Sequence, residues 1–292
     1  MDIQMASRYA SEELFNTHLY RWLSERVKSQ KHRELLLDFA NQEALHYDFW
    51  RRWTPETVSY SGWRFRWFQL LAWLLGTTFV LQLLERREHE TISEYRRILP
   101  TLPQEAQAEL LSLIEEEEKH EGELLSAVAT EEPRLRYIGF IVLGLSDAII
   151  EVTGVHAGFL GVSHNPLAAG IAGLIVGFSA SISMASAAYL QAKQNPTVSA
   201  TRSAMYTGIS YVFAVVILAL PYFLFSHMGA AFWSSAILAV FLVLGFVYYS
   251  SVIAERHFRR EALESLGVLG ITALLSYGFG ELIRYFFPHI YL

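Results

Sequence analysis

Charge is spread so unevenly along this chain that its two parts must face different solvents. Residues 1–134 carry 39 of the 52 Asp, Glu, Lys and Arg side chains, 23 acidic and 16 basic, which leaves 13 for the remaining 158 residues. The first part reads as a water-facing acidic domain, while the second is too poor in charge to face water on all sides. An acidic surface favours cations over nucleic acid, so no nucleic-acid partner is expected. A length of 292 residues accommodates two domains, here residues 1–132 and 133–292. The start, MDIQMASRYASEELF, has no basic stretch followed by an apolar core, so no cleavable signal is expected. There are no cysteines, which excludes disulfides, zinc–thiolate sites, iron–sulfur clusters and cysteine nucleophiles.

Five apolar runs in the second part, at 137–162, 167–192, 204–225, 231–253 and 266–287, are long enough to cross a bilayer, which takes about 20 residues. The breaks between them alternate in charge. PRLR, AKQNPTVSATR and ERHFRRE are basic, whereas SHNP and SHMGAA lack Lys and Arg. Because basic loops stay on the cytoplasmic side, the first domain is expected in the cytoplasm and the C-terminus outside.

The first run, GLSDAIIEVTGVHAG, contains Asp147 and Glu151 four residues apart, followed by His156. Ionisable groups at membrane depth cost several kcal/mol on insertion scales and usually mark an ion or proton path. A polar contact between helices is the other use of such a pair. The second run is rich in Gly, Ala and Ser, which lets helices approach closely, and it carries Met184. A thioether is a soft ligand that selects transition metals over magnesium or calcium, although methionine also serves simply as packing. Glu281 is followed one turn later by Arg284, a possible partner.

The first part contains an internal repeat. Glu13 is followed by Tyr20 and then by Glu43-x-x-His46; Glu88 is followed at the same spacing by Tyr95 and then by Glu117-x-x-His120. Helical periodicity, with breaks at TPETVSYSG and PTLP, predicts four helices at about 7–29, 31–52, 63–99 and 104–130. Residues three apart share a helix face, so Glu117 and His120 point inward together, while Glu115, Glu116, Glu118 and Glu121 form a solvated face. One Glu from each of two helices plus a Glu-x-x-His from each of the other two is the ligand set of a carboxylate-bridged di-iron or di-manganese bundle. Carboxylates bridge and neutralise two cations, and each imidazole adds a borderline ligand that suits iron. The apolar segment 67–84 is long enough for a sixth span, but a crossing there would separate the two Glu-x-x-His pairs. It is therefore expected to be a buried bundle helix whose extra apolar face packs on a partner subunit or the membrane surface.

At these residues the chain resembles two families in series. Residues 1–132 are similar to the rubrerythrin or erythrin branch of ferritin-like domains. That resemblance implies an iron site at Glu13, Glu43, His46, Glu85, Glu88, Glu117 and His120, with Glu85 entering through the acid pair of ERRE. The cysteine module of rubrerythrins is absent. Residues 135–292 resemble the vacuolar iron transporter family, also called the calcium-sensitive cross-complementer family, through GLSDAIIEVTG and SISMASAAYLQAK. That likeness implies five spans, a homodimer, exchange of divalent iron and often manganese for protons, and a transport path at Asp147 and Met184, to which the ionisable pair in the first run adds Glu151. The family's cytoplasmic metal-binding insert after the second span is missing, and the N-terminal bundle is expected to take its place. The whole chain resembles the membrane-bound ferritins of bacteria and archaea, which implies a plasma-membrane location. The expected fold is thus all-α, a cytoplasmic four-helix ferritin-like bundle followed by a five-helix transmembrane domain. The expected function is metal/proton antiport that exports iron, or alternatively a membrane-anchored di-iron ferroxidase or peroxide scavenger.

Overall fold

The computed structural model describes residues 3–54, 57–120, 137–254 and 256–287, with the backbone alone at 119 and 120. The described residues fold as α-helices with one short 3-10 turn, and the chain divides into two compact units, Met1–Glu132 and Pro133–Leu292.

The N-terminal unit contains α1 (Ile3–Ser24), α2 (Gln30–Arg51), α3 (Gly62–Leu75), α4 (Thr77–Ile98) and α5 (Gln104–His120). Serine caps start two of them: Ser29 accepts from the His32 amide and Ser61 from the Arg64 amide, each satisfying an otherwise orphan donor. Helices α1, α2, α4 and α5 share one core, built from Tyr9 and Ala10, Phe49 and Trp50, Ile92 and Tyr95, and Leu110, Leu113 and Ile114. Arg64 of α3 clamps Glu12 of α1 at 2.7 and 2.8 Å.

The single helix expected over 63–99 is two helices. Gly76, at φ 102°, ends α3 and begins α4. Only glycine adopts that backbone without strain, so the glycine in LLGTT breaks a segment whose apolar pattern runs on through it. The break divides the apolar segment by role. Phe79, Val80, Leu81 and Leu84 of α4 are buried, whereas Trp63, Trp67, Leu70, Trp73 and Leu74 stand exposed as a stripe on α3. At 14 residues, α3 is too short to span a bilayer.

The second unit contains α6 (Ile138–Val162), α7 (Pro166–Ala192), α8 (Ala200–Leu224), α9 (Met228–Ile253) and α10 (Phe258–Phe286), five helices long and apolar enough to cross a membrane. Helix α8 packs against α6 and α7, and α10 packs against α6. Small residues make the α6–α10 contact possible: a Cβ at Gly280 would sit 2.1 Å from the Gly158 carbonyl oxygen. Ser235 of α9 donates to the Leu218 carbonyl of α8 at 2.8 Å, which satisfies a polar group within an apolar core. The last helix begins eight residues before the apolar run expected at 266–287. Its first turns carry Arg260 and Glu264, paired at 2.9 Å, because a helix continues past the apolar stretch that hydropathy detects.

Candidate metal centres

Three helices bring polar side chains to one place in the N-terminal unit. Glu13 of α1, Glu43 and His46 of α2 and Glu117 of α5 each offer a ligand atom within 4.8 Å of all the others. Glu13, Glu43 and His46 are 3–4% exposed, and Glu117 is partly exposed. His46 Nδ1 lies 2.9 Å from Glu117 Oε1 and 3.9 Å from Glu43 Oε2.

The two tyrosines of the repeat explain how the carboxylates are held. Tyr20 of the first copy donates to Glu88 of the second at 2.8 Å, and Tyr95 of the second copy donates to Glu13 of the first. Each copy thus orients the acid of the other, and Glu88 joins Glu13 and Glu117 around a cavity of about 160 Å³. Glu85 lies one turn before Glu88, half-buried, and does not line that cavity. The His120 side chain lies outside the described residues. On the outer face of α5, Glu118 pairs with Arg96, and the half-exposed Glu116 reaches to 3.9 Å from His46 Nε2.

Without a cation, this arrangement is electrostatically costly. Burial, and then the neighbouring Glu13 and Glu117, push the Glu43 carboxyl well above the usual range; burial and Glu117 do the same to Glu88. Burial also raises Glu13. Burial disfavours charge on His46, but the adjacent Glu117 outweighs it and raises His46. Glu43 Oε2 and His46 Nε2 are buried without a hydrogen-bond partner among the described residues. Clustered acids with orphaned oxygens and an orphaned imidazole nitrogen suit divalent cations, which displace the protons and complete the coordination.

In the membrane unit, Asp147 and Glu151 of α6 and Met184 of α7 line one open cleft together with Ser179 and Ser183. Tyr211 of α8 donates its hydroxyl to Glu151. His156 lies elsewhere: it is buried against the Tyr222 ring at 4.0 Å, and a Cβ at Gly173 would come within 2.3 Å of its Nε2. Glu281 is paired with Arg284 at 2.5 Å and receives a bond from Tyr277 at 3.0 Å.

In the sequence Tyr20 and Tyr95 stand only as markers of the repeat, and Tyr211 belongs to no motif. A phenol or indole set into an otherwise apolar helix face was the available signal, since such a group needs a polar partner once buried.

The five apolar helices support an integral membrane protein. Residues 192–281 match the VIT family, whose members suggest iron or manganese ions as the transported species. The matched segment covers α8, α9 and most of α10, so Asp147, Glu151 and Met184 precede it. No curated protein and no solved structure matches the chain.

Proposed function

We propose that this protein exports divalent iron, and also manganese, from the cytoplasm in exchange for protons. In this reading residues 1–132 form a cytoplasmic ferritin-like bundle that captures or senses the metal. Residues 133–292 form the transporting unit, a homodimer in the plasma membrane of a bacterium or archaeon. The observation that carries the reading is the presence on one chain of two metal-type sites, one in an acidic domain and one between membrane-length helices.

The membrane residues divide the work. Asp147 and Glu151 share one face of α6, so one carboxylate holds a cation while the other exchanges a proton; two neighbouring negative charges cannot both persist cheaply without a cation. The Tyr211 hydroxyl fixes the orientation of Glu151. Met184 adds a soft ligand that favours iron or manganese over magnesium.

In the bundle, Glu13, Glu43, His46 and Glu117 hold the metal, with Glu88 on the adjoining cavity and, as the resemblance to ferritin-like domains implies, Glu85 and His120 as the remaining ligands of a two-metal site. Bound iron supplies one-electron chemistry there. Tyr20 and Tyr95 keep the carboxylates aimed, an outer-partner role that raises ligand precision. A bundle that oxidises iron quickly would be a poor donor to a transporter, since ferric iron hydrolyses. Rapid ferroxidation without metal flux is therefore the outcome that favours the membrane-anchored enzyme.

Proteoliposomes loaded with an internal pH dye test the proposal. Fe(II) or Mn(II) flux coupled to opposite proton movement, and lost in Asp147→Ala, is expected. Removal of residues 1–132 separates two roles for the bundle: loss of flux indicates delivery, and unregulated flux indicates sensing.

A further inference from the structure

We propose that Tyr95, Trp50 and Tyr9 form a one-electron conduit between the metal-ligating carboxylates of the N-terminal unit and the acid Glu94 at its surface. The proposal rests on the reading of Glu13, Glu43, His46 and Glu117 as a site for a redox-active metal. The three rings form a closed triangle, with centroids 4.8 Å apart for Tyr9 and Trp50, and 4.9 Å apart for Tyr9 and Tyr95 and for Trp50 and Tyr95. Electron transfer weakens steeply with distance, and rings in contact are as close as side chains can come. All three are buried.

Both ends of the triangle are built for proton-coupled oxidation. At the inner end Tyr95 donates to Glu13, while the Trp50 indole donates to the Tyr95 oxygen at 2.9 Å. At the outer end Tyr9 donates to Glu94 at 2.8 Å, and Glu94 is paired with the exposed Arg8. Burial and the bond to Glu94 push the Tyr9 phenol up to about 12, so it is protonated at neutral pH and loses an electron only if a base takes its proton. Glu94 is that base. Packing alone would be served as well by phenylalanine at positions 9 and 95, and neither hydroxyl would then need an acid.

The step balances with hydrogen peroxide as oxidant. Tyr95 gives one electron to peroxide and its proton to Glu13, from which it passes to the departing oxygen. A ferrous ion held by Glu13, Glu43, His46 and Glu117 would supply the second electron, and solvent would supply the second proton. The O–O bond breaks and two water molecules leave. Tyr9 then returns an electron to Tyr95, across the direct ring contact or over Trp50, and passes its proton to Glu94, while Tyr95 regains a proton from solvent. A one-electron donor in solution such as ascorbate reduces Tyr9, which takes its proton back from Glu94. The conduit thereby allows peroxide to be consumed when the site holds one oxidisable ion instead of two.

The full-length protein in detergent is loaded with Fe(II) without oxygen, its bound iron is counted, and it is mixed with peroxide and freeze-quenched for electron paramagnetic resonance. The expected result is a tyrosyl radical that changes line shape on ring-deuteration of tyrosine, is lost in Tyr95→Phe, stays on Tyr95 with an altered line shape in Tyr9→Phe, and passes to Tyr9 in smaller yield in Trp50→Phe. Ascorbate is expected to quench it in the wild type. Iron that binds and is oxidised with no organic radical, or with a radical unchanged in Tyr9→Phe, overturns the conduit and leaves the metal reading standing. Failure of the protein to hold iron, or iron held equally by Glu43→Ala, overturns the metal reading and the conduit with it.

Discussion

The two acid-bearing sites differ in how firmly they hold their carboxylates, and under the proposed function this difference separates holding a cation from passing it on. In the N-terminal unit Glu13 and Glu43 are nearly inaccessible, and Glu13 and Glu88 are each fixed by a tyrosine of the opposite repeat copy. In the membrane unit Asp147 and Glu151 are half-buried in an open cleft, and Glu151 has one tyrosine donor. A preorganised, enclosed acid cluster retains a metal, whereas a path requires sites weak enough to release it.

The sharpest way to break this contrast is to remove carboxylates from each site in turn. Asp147→Ala is expected to abolish metal flux while leaving metal binding by the N-terminal unit unchanged, as measured by flux and by equilibrium titration on the same preparation. Glu43→Ala combined with Glu117→Ala removes two of the four converging ligands. Its expected cost in metal affinity exceeds the roughly 10–100-fold associated with outer partners, with no change in the intrinsic membrane path. Tyr95→Phe leaves every ligand in place and removes one orienting bond, so about 10–100-fold in affinity is expected, read by competition with a chelating dye.

A gentler test uses pH. Glu43 and Glu88 have pKa values raised above those of the unfolded chain. Their contribution to the metal-free fold is therefore complete at low pH, below the ordinary carboxylate range, and is lost as pH rises through the raised values. Hydrogen exchange over α2 and α4 of the intact, metal-free protein should speed up as pH rises, after correction for the intrinsic exchange rate. Metal should suppress that loss and release protons on binding. The smallest effect is expected at the solvent face of α5: Glu118→Gln breaks the exposed pair with Arg96 and should shift stability by about 0–1 kcal/mol, with no effect on metal binding.

The membrane helices were the most legible part of the sequence, because span length and apolar content are set by the bilayer itself. Where a helix extends into charged turns, as at Arg260 and Glu264, hydropathy gave its apolar part but not its start. The break at Gly76 was harder to read, since apolar residues continue on both sides and only the backbone angle reveals the division between exposed α3 and buried α4. The repeat spacing marked Glu13, Glu43, His46, Glu88, Glu117 and His120 as one set; the structure brings Glu13, Glu43, His46 and Glu117 together and puts Glu88 on the adjoining cavity, while the His120 side chain lies outside the described residues. The crossed Tyr20–Glu88 and Tyr95–Glu13 bonds were not legible, because the spacing places each tyrosine on the same helix as the acid of its own copy. Which acid it reaches depends on how the four helices pack.

The central claim, that the intramembrane acids pass metal against protons, is tested most directly by Fe(II) and Mn(II) flux into inside-out proteoliposomes with an internal pH dye, comparing the wild type with Asp147→Ala. Metal uptake accompanied by proton release, and absent in Asp147→Ala, is the expected result. Flux that persists in Asp147→Ala, or no flux for either metal from a protein that still binds metal, would contradict it.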